Sequence, residues 1–199
     1  MKRKLAILGA VLAAHLAFGQ GTFVYDQQSS DITHYNGDNS VPIPFSGAPP
    51  VQSFTPSLNG IGFIEVWGMD IPTFTALAVN LRESSPDGAI LGTTSTLTIP
   101  RGTNYSGPLS FLFPGQIPLV SGQVYYMEPF MVKPAGFGYW CNINAFYYNY
   151  AGGRYIDRDN DTFQGLDIWF REGIVVPEPG TMALVLLGAS CFMWRHRRC

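Results

Sequence analysis

Between two apolar ends, short runs of Val, Ile, Thr, Phe, Tyr and Trp alternate with clusters of Gly, Pro, Asn and Asp. Apolar–polar alternation at period two marks a strand with two distinct faces, and the punctuating residues are those that turns require. Phe63, Glu65 and Trp67 oppose Ile64 and Val66 in this way, and Leu77, Val79 and Leu81 oppose Ala78, Asn80 and Arg82. Strands are therefore expected at residues 22–25, 51–55, 62–67, 74–82, 90–99, 109–113, 124–132, 138–146 and 166–171. Turns are expected at Asn59-Gly60, Pro86-Asp87-Gly88, Pro114-Gly115, Ser121-Gly122 and Gly152-Gly153, and a loop over the Gly-, Pro- and Ser-rich residues 37–50. No amphipathic helical period interrupts this texture. The expectation is an all-β domain, a two-sheet antiparallel sandwich of the jelly-roll kind.

The ends carry different signals. Lys2, Arg3 and Lys4 precede an apolar stretch over residues 5–16, the length of a signal-peptide core and too short to span a bilayer. Ala17 and Gly19 supply the small residues that precede a cleavage point, so residues 1–19 read as a signal peptide and residues 20–174 as the exported domain. No Cys follows that point, which speaks against a lipoprotein anchor. The body then holds six Lys and Arg against thirteen Asp and Glu, a net charge near −7. Such a surface disfavours nucleic acid and anionic lipid as partners. Cys141 is the body's one cysteine, Cys191 and Cys199 lying in the tail, so no disulfide can form within the body and Cys141 is expected in its core.

Residues 175–199 form three consecutive pieces. Pro177-Glu178-Pro179 is stiff and extended, because each proline fixes its own φ and restricts the residue before it. Residues 181–194 are a largely apolar run, expected as a transmembrane helix though short for a full span. Arg195, His196, Arg197 and Arg198 close the chain with positive charge, which belongs on the cytoplasmic side. In this order the pieces resemble the PEP-CTERM sorting signal, whose tail segment has also been labelled an ice-binding protein C-terminal segment. The resemblance implies recognition by an exosortase at Pro177, Glu178 and Pro179, transient residence in the inner membrane, and delivery to the cell surface or extracellular matrix. The body resembles, more loosely, β-sandwich domains found beside such tails, through residues 52–56, 79–82, 85–92, 121–126 and 165–171. That likeness supplies no catalytic residue.

Candidate chemistry in the body is sparse. His34 is its one histidine, too few for a zinc site with a single Cys, and no Gly-x-Ser-x-Gly elbow accompanies it. Asp157, Asp159 and Asp161 alternate in a short segment as calcium ligands do, but Thr162 and Ile168 stand where an EF-hand loop needs Gly and Glu. A solvated turn before the final strand is the favoured account of them; calcium is the single cofactor the sequence suggests. Trp140, Tyr147, Tyr148 and Tyr150 lie in an aromatic, Asn-rich stretch that fits either a sandwich core or a glycan-binding surface. Residues 94–98 carry alternating threonines, which a β-strand explains. The expectation is a non-enzymatic surface or matrix protein, with a carbohydrate-binding module for the cell's own exopolysaccharide as the alternative. Because Ala17 and Gly19 set the cleavage point, N-terminal sequencing of the exported protein should read from Gln20, and a chain retaining residues 1–19 would refute the signal assignment.

Overall fold

A computed structural model describes residues 21–30, 40–100, 102, 104–133, 140–146, 150–158 and 165–177. The chain forms two units, a body over Tyr25–Ile174 and a second unit of Met1–Val24 with Val175–Cys199. In the second unit the described residues, 21–24 and 175–177, are mostly extended. The signal peptide and the apolar tail lie outside the described residues, among which no helix is long and apolar enough to cross a membrane.

The described strands are β1 (Thr22–Ser29), β2 (Ser40–Pro44), β3 (Val51–Phe54), β4 (Gly60–Ile71), β5 (Ala76–Glu83), β6 (Ile90–Thr93) and β7 (Leu97–Thr98). They continue with β8 (Tyr105–Pro118), β9 (Tyr125–Lys133), β10 (Trp140–Phe146), β11 (Tyr155–Ile156), β12 (Asp167–Ile168) and β13 (Phe170–Val176). A larger sheet runs β1-β13-β4-β10-β12, with β2 on β10 and β8 on β4; a smaller one runs β11-β3-β9-β5-β6, with β7 on β5. The registered pairings are antiparallel.

Period two in the sequence becomes the division between faces. Ile64 and Val66 of β4 enter the core, as do Leu77, Val79 and Leu81 of β5. Phe111, Ile143 and Phe170 join them from the larger sheet, Phe54 and Met127 from the smaller. Phe54 and Phe170 meet across the two sheets with ring centroids 6.4 Å apart. Each such side chain contributes about 1.5–3 kcal/mol by leaving water. Cys141 is also buried in this core and forms no disulfide.

Four expectations are corrected. Residues 37–50 are not all loop, because residues 40–44 form β2, paired with β10 from Ser40↔Asn144 to Pro44↔Trp140. Among the described strands β2 pairs with β10 alone, an edge position where Pro42 and Pro44 can be tolerated. The strand expected at 90–99 divides into β6 and β7. Between them Thr94 stays bonded to Val79 while the Ser95 amide donates to the Leu112 carbonyl of β8 at 2.8 Å. Likewise residues 166–171 divide into β12 and β13, because the Trp169 amide turns to the Asn144 carbonyl at 2.9 Å. Pro114-Gly115 makes no hairpin; it falls in the irregular stretch of β8, where register jumps from Phe63↔Leu112 to Ile61↔Ile117.

Gly153 is needed where the segment before β11 crosses β3. A Cβ there would stand 1.9 Å from the Ser53 carbonyl oxygen, while the Ser53 amide bonds the Arg154 carbonyl at 2.9 Å. Gly153→Ala should therefore lower stability by about 1–3 kcal/mol in denaturant unfolding. Gly115→Ala, whose Cβ would meet nothing within 4 Å, should change it by less than about 0.5 kcal/mol.

Candidate functional site

Of the residues singled out in the tail, Pro177 is exposed directly after β13; Glu178, Pro179, Arg195, Arg197 and Arg198 lie outside the described residues. Asp157 is half-buried, whereas Asp159 and Asp161 are outside, and the described residues contain no group of three or more His, Cys, Asp or Glu placed to hold a metal. Trp140 begins β10; Tyr147 and Tyr148 are outside the described residues. Tyr150 can be placed fully. Its ring stands edge-on to Phe170 at 5.1 Å, and its hydroxyl donates to Gln27 Oε1 and accepts from the Thr55 amide, both at 3.3 Å. Burial above all pushes that hydroxyl up to about 12.

Three polar constellations organise the described body. The first grows from β9, where Tyr125, Met127 and Met131 point inward and Glu128 points outward in register with Asn80. Glu128 is nevertheless buried. Arg82 Nε lies 2.5 Å from Oε2, Asn80 Nδ2 donates to the same oxygen at 3.2 Å, and Arg158 donates to Oε1 at 3.0 Å. Burial works to raise the carboxyl, but the Arg82 and Asn80 hydrogen bonds and the two guanidinium charges outweigh it and hold Glu128 below the usual carboxylate range. The same arginines reach the turn between β5 and β6: Arg82 donates to the Gly88 carbonyl at 2.8 Å, Arg158 donates to the Pro86 carbonyl, and Asp87 lies 3.5 Å from Arg158. A Cβ on Gly88 would collide with the Glu83 carbonyl, so the turn closes tightly beneath them. With its oxygens engaged by cations, Glu128 is an anchor for the turn and a poor proton donor.

The second constellation lies on the face of β4 opposite the core. Arg171 lies over Tyr25 at 4.8 Å and over Trp169 at 5.0 Å, with Trp67 edge-on to Trp169 at 5.4 Å. Its guanidinium pairs with Glu65 at 2.9 Å, and Ser110 donates to Glu65 at 2.7 Å. Burial first, then the Glu65 charge, raise the Tyr25 hydroxyl above its ordinary value, the Arg171 charge acting the other way. The aromatic faces are thus occupied by the chain's own cation.

A third cluster joins the sheets: Gln52 donates to Asp167 Oδ1 at 3.0 Å and accepts from the Ile168 amide at 2.8 Å, and the Tyr150 amide donates to Asp167 Oδ2 at 2.9 Å. Sequence reasoning found neither Glu128 nor Gln52 as a hub. The available signal was indirect, since Asn80, Arg82, residues 85–92 and Asp167 belong to the very pieces that resemble sandwich domains.

The described body is thus all-β, and its last described strand runs into a C-terminal sorting tail. Residues 175–198 match the PEP-CTERM protein-sorting motif, so the chain carries that signal immediately behind β13. The motif implies export and exosortase-dependent sorting to the cell surface. No curated protein matches the chain.

Removing Glu128 strands two cations in a buried site. Glu128→Ala should cost about 3–5 kcal/mol in denaturant unfolding. Because folding holds this carboxyl below its ordinary value, its contribution is present above the usual carboxylate range and lost as pH falls through the folded value. Wild type should therefore lose stability on acidification by a component that Glu128→Ala lacks.

Proposed function

We propose that this chain is a non-enzymatic, exported surface or matrix protein, anchored briefly in the inner membrane by its apolar tail and processed near Pro177-Glu178-Pro179 by an exosortase. The observation that carries the reading is the sorting motif over residues 175–198, adjoining a β-sheet body. Three buried acids support a structural role, because Glu128, Glu65 and Asp167 are each engaged by neighbouring side chains or amides. A carbohydrate-binding role toward the cell's own exopolysaccharide, with Trp140, Tyr147, Tyr148 and Tyr150 as contacts, is the second reading. The inward placement of Tyr150 weakens it.

A plain anchor depends on the apolar run alone, whereas a sorting signal also depends on the tripeptide. Glu178→Ala should leave membrane insertion intact and abolish processing and release to the surface. Fractionation of the tagged protein in its own host, with and without the exosortase, reads this directly. Identical processing of mutant and wild type would reduce the tail to an anchor.

A further inference from the structure

Glu172 has the most unfavourable surroundings of the described acids. It lies on β13 two residues after Phe170, so both side chains point into the core, and it is 0% exposed. Neither carboxyl oxygen closes a full hydrogen bond; the Gln27 amide of β1 acts on the group without reaching that geometry. From β4 its register partner is the apolar Ile64; from β1 it faces Asp26, and from the segment after β10 it faces Tyr150. Glu65 and Arg171 lie on the opposite face of the sheet, paired with each other. Asp26 is itself committed, accepting from the Ser57 and Leu58 amides at 2.8 Å each, so it remains a negative neighbour. An ionised carboxylate in such a place has no counter-charge, whereas a protonated one is an ordinary neutral group.

We propose that Glu172 is a proton-controlled latch on the strand that precedes the sorting tail: protonated, it lies in the core and keeps β13 paired; ionised, it drives β13 out of the sheet. Burial first, then the Asp26 charge, push its carboxyl up to about 8, the Gln27 amide acting the other way. Since the folded value lies above the unfolded one, the stabilisation is complete below the ordinary carboxylate range and is lost as pH rises toward about 8. β13 ends at Val176, one residue before Pro177, so its release would loosen the chain just ahead of the tripeptide.

Hydrogen exchange on the full-length chain in detergent micelles tests this, with protection corrected for intrinsic exchange rates. Protection of the β13 amides relative to those of β9 should fall at least about tenfold between about pH 5 and about pH 9, and Glu172→Gln should abolish the fall. A level wild-type profile, or a parallel fall in Glu172→Gln, overturns the latch. Asp167 is also raised, by burial, so an infrared readout uses an Asp167→Asn chain to isolate Glu172. A protonated-carboxyl band present near about pH 6 and gone by about pH 9 in that chain supports the proposal even if Glu172→Gln does not fold; its absence near about pH 6 overturns it.

Discussion

Taking a carboxylate out of water is costly unless hydrogen bonds and a counter-charge replace its hydration, and the described body buries Glu65, Glu128, Asp167 and Glu172. The first three are placed where distant strands must be aligned. Glu65 is in register with Ser110 of β8 on one side and Arg171 of β13 on the other, accepting a hydrogen bond from the first and forming an ion pair with the second. A slip of one residue in either pairing would turn its partner to the opposite face and leave the acid alone. Asp167 performs the same service between the sheets through Gln52, and Glu128 ties β9 to β5 and to the turn beyond it. Core burial drives the sheets together; these acids select how they meet.

Much of this plan was legible in the chain and some was not, for definite reasons. β4 and β5 announced themselves because each has one face in the core, and alternation survives in the sequence. β2 was hidden by Pro42 and Pro44, which argue against a strand except on an edge, and nothing local shows that a segment will lie on an edge. Pro114-Gly115 carried a turn signal that the structure uses as an irregularity within β8. The Glu128 hub was illegible for another reason: Arg82 lies 46 positions away and Arg158 lies 30, and no short-range pattern joins them.

The tail is the opposite case. Its meaning resides in consecutive residues whose order is the signal, so it could be read without folding anything. Delivery is encoded along the chain and the cargo's shape across it. The two codes adjoin at β13, a strand that belongs to the sheet and ends where the tripeptide begins.

The buried Cys141 has a consequence for how this molecule could be watched. Burial pushes its thiol up to about 12, so at neutral pH almost no thiolate is available to react. In an oxidising compartment the folded body is therefore inert to thiol exchange, while a chain caught before its sheets close presents a competent nucleophile. Modification of this one sulfur becomes a clock for folding during export: a labelled body is one that met the reagent while still open.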